Sequence, residues 1–237
     1  MGSQQGIRVF HTAVHRCGYW PERMARDVVL DPDDPKLPSL YGSALTMGFR
    51  RSGGHVYRPH CQSCRACTPV RIVIGEFAAN RAQRRCLARN ADLAIAWSPA
   101  ERTDENFSLY QRYLGARHAG GGMDAPAPED FDRFLVCEWS PTRFLEFRRE
   151  GQLLAVAATD LLPDAMSAVY TFFAPEPSRR SLGNLAILAQ IDLARQAGLK
   201  HLYLGFWIEA HPKMDYKRHY QPLEFFDGHV WRRWATR

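Results

Sequence analysis

No stretch of this chain stays apolar for anything near the ~20 residues that a membrane-spanning helix needs, which excludes a helical membrane protein. Nor does the start read as a secretory leader. Ile7 to Val14 is short and is followed at once by His15 and Arg16, so a cytoplasmic, soluble protein is expected. Acidic excess is missing too. The net charge is +6, from 31 Lys and Arg against 25 Asp and Glu, which permits an anionic partner such as nucleic acid without requiring one. Internal sequence repeats are absent. So is a regular disulfide framework: the six cysteines are uneven, with Cys61, Cys64 and Cys67 crowded into seven positions. In a chain without an export signal that spacing favours thiols or metal over disulfides.

What is present suffices for a sizeable core, since 46% of the 237 residues are hydrophobic. The densest chemistry lies between Tyr41 and Arg71, which holds five arginines, two histidines and three cysteines. The alternation from Ser43 to Arg50, a Ser52-Gly53-Gly54 turn and a run from His55 to Pro59 predict a β-hairpin. The cysteines fall on a loop before a third strand, Pro69 to Phe77. Asn80 to Ala91 is expected as a helix with Asn80 as N-cap. Its Arg81, Arg84, Arg85 and Arg89 gather along one side, as either a solvated face or a phosphate-contacting stripe.

From Leu93 the expected order is a strand to Trp97, a helix from Asp104 to His118 and a Gly- and Pro-rich loop from Ala119 to Ala127. A helix from Pro128 to Glu138 comes next, then a three-stranded meander over Thr142 to Arg148, Leu153 to Leu161 and Ser167 to Ala174. A loop with Arg179 and Arg180 leads to a helix from Leu182 to Ala197 closed by Gly198, and then to a strand from Lys200 to Ile208. A short helix near Pro212 to Tyr220 and a hairpin at Asp227-Gly228 end the chain. That order resembles the GNAT acyltransferase fold, an α+β architecture. The division expected is an N-terminal hairpin, Cys-loop and helix subdomain over residues 1–92 and a GNAT-like domain over residues 93–237.

Particular motifs carry a family resemblance. GFRRSG at 48–53, Tyr57-Arg58-Pro59-His60-Cys61, the Cys64 and Cys67 ladder, Pro69-Val70-Arg71 and Gln83-Arg84-Arg85 resemble the bacterial aspartate/glutamate leucyltransferases, relatives of the arginyl-tRNA-protein transferases. Tyr203-Leu204-Gly205-Phe206-Trp207-Ile208 and Lys213-Met214-x-Tyr216-Lys217-x-x-Tyr220-x-Pro222 extend the likeness over most of the chain. The resemblance implies transfer of leucine from leucyl-tRNA to proteins that begin with Asp or Glu, marking them for N-degron degradation, with no cofactor required.

On that reading Arg50, Arg51 and Arg71, with Tyr216 and Lys217, are the expected substrate-binding group, a guanidinium fork being the natural holder of a carboxylate. Arg50 and Arg51 are strand neighbours and point to opposite faces, so one of them is expected at the site. Asp160, Tyr170 and Tyr203 are the catalytic candidates, and Phe172, Phe206 and Trp207 are available for a leucine pocket. Arg84, Arg85, Arg179 and Arg180 are the candidates for the tRNA acceptor end. Cys61, Cys64 and Cys67 have the spacing of three zinc or iron–sulfur ligands. A fourth ligand is not evident, and Trp20 replaces the second cysteine of a Cys-x-x-Cys pair found in the arginyl relatives. Three alternatives stay open: an arginyl donor, a GNAT acetyltransferase using acetyl coenzyme A, and a non-catalytic RNA-binding protein. Against coenzyme A, Leu185 stands where the phosphate loop calls for a small residue.

Overall fold

A computed structural model describes residues 6–117, 126–176 and 178–234. Four strands near the N-terminus, β1 (Val9–His11), β4 (Asp27–Leu30), β6 (His55–Pro59) and β5 (Arg50–Ser52), form a small sheet in that spatial order. A two-stranded ribbon, β2 (His15–Arg16) with β3 (Met24–Ala25), stands apart from it. The expected hairpin is real but shorter, with β5 paired to β6. Most of its first expected strand is instead α1 (Leu37–Thr46), which has Pro38 in its first turn. Leu37, Tyr41, Ala44 and Leu45 are buried at helical spacing, and that longer period outweighs the local alternation from Ser43. Gly48, at φ 79°, ends the helix where a Cβ would lie 2.7 Å from the Phe226 ring.

The large sheet has eight strands. In spatial order they are β14 (Trp231–Arg233), β13 (Leu223–Phe226), β7 (Thr68–Val73), β12 (His201–Trp207), β11 (Ala165–Phe173), β10 (Gln152–Leu161), β9 (Thr142–Arg149) and β8 (Ala94–Pro99). Every pairing is antiparallel except β11 with β12. Helices α2 (Arg81–Arg89), α3 (Asp104–Arg117), α4 (Pro128–Leu135) and α5 (Leu182–Gln196) complete the expected order. The loop expected between α3 and α4 lies almost wholly outside the described residues. Among the described residues no helix is long and apolar enough to cross a membrane.

Strand β7, from the first ninety-two residues, is an interior strand of the large sheet, between β13 and β12. The main core lies between the large sheet and α3 to α5. A second cluster joins α1 to Ala165 and Tyr203 of the large sheet.

One polar contact locks these layers. Arg51 donates twice to Asp160, Nε to Oδ2 at 2.8 Å and Nη2 to Oδ1 at 2.7 Å, with both side chains 0% exposed. Tyr41 donates to the same carboxylate at 2.6 Å and Thr142 at 2.7 Å, while Arg51 also reaches the Gly53 carbonyl. Removing one partner of such a pair strands a buried charge at a cost of about 3–5 kcal/mol. Arg51→Met is therefore expected to lower the urea midpoint by that equivalent. A loss under about 1 kcal/mol, the range of an exposed pair, would show that the pair does not hold the layers together.

Candidate active site

The parallel pairing of β11 with β12 is brief. It joins Ala165 to His201, Met166 to Leu202 and Ser167 to Tyr203, although both strands run on, to Phe173 and Trp207. Beyond the third pair they part and leave a wedge. Each strand also bulges at its mouth. Val169 has no partner in β10, since Ala168 faces Thr159 and Tyr170 faces Ala158. Leu204 is likewise skipped in β7, where Tyr203 faces Arg71 and Gly205 faces Val70. A splay with two bulges leaves backbone carbonyls in need of new donors.

Two cations supply them. With Arg51 anchored in the core, strand alternation turns Arg50 the other way, and its Nη2 donates to the Val169 carbonyl at 2.7 Å. Gly205 makes room for it: at φ 73°, a Cβ there would lie 2.6 Å from Arg50 Nη1. The Phe206 ring lies 6.0 Å from the Arg50 guanidinium carbon. Opposite, Lys217 comes from a 3-10 turn, Asp215–His219. It is 4% exposed, donates through Nζ to the Phe206 carbonyl and reaches Met214 Sδ at 3.9 Å.

Among the described residues neither cation has a carboxylate partner in a salt bridge. Burial, and then the Arg50 charge, pushes the Lys217 amine well below its ordinary 10.5. Tyr19, Tyr57 and Tyr216 lie within electrostatic reach of Arg50, and burial raises the Tyr19 phenol to about 12. Two desolvated cations with unused N–H donors make a place for a small anion.

The other expected site residues are distributed unevenly. Arg51 and Asp160 are spent on each other in the core, which takes Asp160 out of reach of a substrate and leaves Arg50 as the member of the pair that faces the wedge. Arg71 donates to Glu224 at 2.7 Å and to the Tyr203 hydroxyl at 3.2 Å, and stacks 4.3 Å from the Trp231 ring. It braces Tyr203, which lines a small cavity shared with Arg50 and Gly205. Tyr170 packs among Tyr110, Tyr113 and Phe134, and burial raises its phenol. Of the apolar candidates, Phe172 is buried in the main core and Trp207 packs on Trp234, leaving Phe206 beside Arg50.

Helix α2 begins at the expected cap: Asn80 and Gln83 form a reciprocal capping box. The Gln83 amide also donates to the His219 carbonyl at 3.1 Å, tying α2 to the Lys217 turn. Arg85 and Arg89 line a groove of about 500 Å³ with Ser181, Asn184, Tyr216, His219 and Tyr220. Arg84 bends back to the Ala79 carbonyl, and Arg180 is held by Asp92 through two bonds of 2.8 Å. Arg179 is exposed. Leu185 is 2% exposed within the main core, so its side chain does not obstruct the loop ahead of α5 as its place in the sequence suggests.

The cysteines of the ladder make separate contacts. Among the described residues no three His, Cys, Asp or Glu side chains converge on a common metal position. Arg23 donates to Cys64 at 3.5 Å, Cys61 lies 3.8 Å from the Arg26 carbonyl, and Cys67 packs beside Phe206, Ile208 and Met214, its thiol raised by burial to about 12. The groove and Gly205 are what reading the sequence left without a role, whereas Lys217 was among the expected substrate-binding residues and the Lys213-to-Pro222 motif pointed to its turn.

A mixed sheet whose one parallel pair opens into a wedge, in this order of elements, is the GNAT-like fold. Models of the N and C termini of arginine-tRNA-protein transferase match residues 15–85 and 105–227. The chain is 54% identical over 231 residues to the aspartate/glutamate leucyltransferase of Stenotrophomonas maltophilia (strain K279a), covering 95% of this chain and 92% of that protein. It is 52% identical over 236 residues to the enzyme of the same name from Xylella fastidiosa (strain M12), covering 97% and 93%. The chain belongs to the aspartate/glutamate leucyltransferase family. Among solved structures, FemX resembles it at 10% identity and a TM-score of 0.47, covering 86% of this chain and 81% of that one.

The depressed Lys217 pKa has a signed consequence for stability. Between its folded value and 10.5 the unfolded chain holds a proton that the native chain does not, so this group makes stability rise with pH across that window. The unfolding free energy of the wild type minus that of Lys217→Met is expected to climb as pH rises toward 10.5. A difference that stays flat in denaturant titrations across that range would rule out a desolvated amine.

Proposed function

We propose that the protein transfers leucine from leucyl-tRNA to the α-amino group of proteins that begin with Asp or Glu, marking them for N-degron degradation. The observation that carries this reading is the Arg50 guanidinium, held at the base of the wedge with Lys217 nearby and without a carboxylate partner among the described residues. An acidic N-terminal side chain supplies the missing anion. Arg50 offers a planar fork of donors to it, and Phe206 and Tyr57 shield the contact from water.

The chemistry is aminolysis of an ester. The acceptor nitrogen attacks the leucyl carbonyl carbon, the C–N bond forms, the ester C–O bond breaks and the terminal ribose hydroxyl leaves with a proton. The exchange is downhill and needs no redox partner. What the protein supplies is position, a donor-rich site for developing charge and relief of one proton from the amine. An α-amino group with a pKa near 8 needs little help at neutral pH. Lys217, desolvated and beside the acceptor site, is the group in this wedge best placed to ease that proton away. Tyr170 and Tyr203, whose phenols burial keeps protonated, suit hydrogen-bond donation.

The test is transfer from radiolabelled leucyl-tRNA, with arginyl-tRNA as the competing donor, to peptides that start with Asp, Glu or Ala. Arg50→Gln is expected to cut kcat/KM on the Asp peptide by roughly 10- to 100-fold, the value of a lost charge-assisted hydrogen bond, while leaving the Ala peptide at its low rate. Gly205→Ala, which drives a Cβ into the same guanidinium, should reproduce the loss. Full activity of Arg50→Gln on Asp peptides would overturn the assignment.

A further inference from the structure

The N-terminal ribbon reaches the wedge, and the chemistry above gives it no task. Between β2 and β3 the chain turns tightly, the Cys17 amide donating to the Arg23 carbonyl and the Arg23 amide to the Trp20 carbonyl, each at 2.9 Å. The tip of this turn is fastened to the segment that carries Lys217. Tyr19 and Trp20 meet the buried His211 ring edge-on, with centroids 5.5 and 5.0 Å apart. His211 donates through Nε2 to the Tyr19 carbonyl at 3.3 Å, while its Nδ1 accepts from the Lys213 amide at 3.2 Å. The His211 carbonyl in turn takes the Met214 and Asp215 amides that lead into the Lys217 turn.

That fastening delivers the Tyr19 phenol to Arg50. Tyr19 lies within electrostatic reach of both Arg50 and Tyr57. Tyr57 is the cross-strand partner of Arg50 in β5 and β6, so the two side chains stand on one side of the small sheet. Its ring packs on Phe206, as the Arg50 guanidinium does. Asp27, a carboxylate within reach of Tyr57, is engaged by His15 at 3.2 Å. Among the described residues neither phenol oxygen makes a hydrogen bond, and neither is an atom sealed from solvent without a partner. Burial raises both phenols, so each oxygen keeps a proton to donate.

A carboxylate presents about four lone-pair directions, and a guanidinium fork meets only some of them. Arg50 also spends Nη2 on the Val169 carbonyl. We infer that Tyr19 and Tyr57 supply the remaining donors to the acidic side chain of the acceptor, and that Tyr19 is the specificity-determining residue contributed by the N-terminal ribbon. The inference rests on the transferase reading above. A hydrogen bond to a charged oxygen is about twice as strong as one to a neutral amide, so both phenols favour Asp over Asn. The guanidinium, which only donates, has nothing to offer the NH2 of an amide.

Tyr19→Phe and Tyr57→Phe each remove one oxygen and keep the rings that pack on His211 and Phe206. Fluorescence anisotropy of labelled peptides that start with Asp or Asn reads binding without tRNA, and leucyl transfer to the same peptides reads kcat and KM. Each variant is expected to raise Kd and KM for the Asp peptide about tenfold, to change those for the Asn peptide by no more than about threefold, and to keep the wild-type KM for leucyl-tRNA. Wild-type preference for Asp over Asn in both variants would overturn the inference, and would leave the transferase reading intact where Arg50→Gln still abolishes that preference. An equal loss on both peptides would overturn it too, since a displaced ribbon gives that result. A wild type that binds the Asp peptide selectively, loses that selectivity in the Phe variants and yet transfers no leucine would instead defeat the transferase reading and leave the phenol donors standing.

Discussion

The buried pair of Arg51 with Asp160 is the contact on which the site's geometry turns. Two fully buried ions are costly to desolvate, and the cost is offset only where the geometry is complete. Here it is: both carboxylate oxygens take guanidinium donors, and Tyr41 and Thr142 fill remaining positions. A bidentate contact tolerates little sliding, so it fixes where strand β5 sits against β10 of the large sheet. Side chains on a strand alternate, and fixing Arg51 therefore fixes where Arg50 points. A contact with no access to substrate thus aims the one arginine that faces the wedge.

The wedge shows how a sheet can open without leaving its backbone unsatisfied. Where β11 and β12 part, the Val169 and Phe206 carbonyls take cationic side chains as donors. Those side chains are held by the backbone they serve, so their orientation is set before any ligand arrives. Such preorganisation lowers the entropic cost of binding and places charge where it is used. It also explains Gly205, where a side chain would occupy the space that the Arg50 guanidinium fills.

Much of this was legible in the sequence, and the failures have physical causes. The element order from Leu93 onward could be read because each helix and strand carries its own period, and Asn80 could be read because a capping box is local. The strand expected from Ser43 failed because the alternation from Ser43 to Arg50 looked like a strand, while the period that governs most of it starts at Leu37. Arg50 and Arg51 were legible as a pair with opposite facings, but not which of them faced the site, since the partner that decides it lies 109 residues away at Asp160. Asp160 itself shows the same limit, because a carboxylate in a meander looks the same in sequence whether it meets a substrate or a guanidinium. The groove was invisible for a related reason: its walls come from three segments, although Arg85 and Arg89 had been read as part of one basic stripe.

Two cations share this wedge, and their repulsion bears on selectivity. Arg50 and burial both disfavour a proton on Lys217. A carboxylate entering beside Arg50 offsets that repulsion, and the attraction acts in a dehydrated setting where Coulomb terms are large. A neutral N-terminal residue offers no such offset, and it would bury Arg50 further without a partner, which is costly. On the proposed reading, preference for an acidic N-terminus follows from the unpartnered Arg50 charge as much as from any new contact made to the ligand.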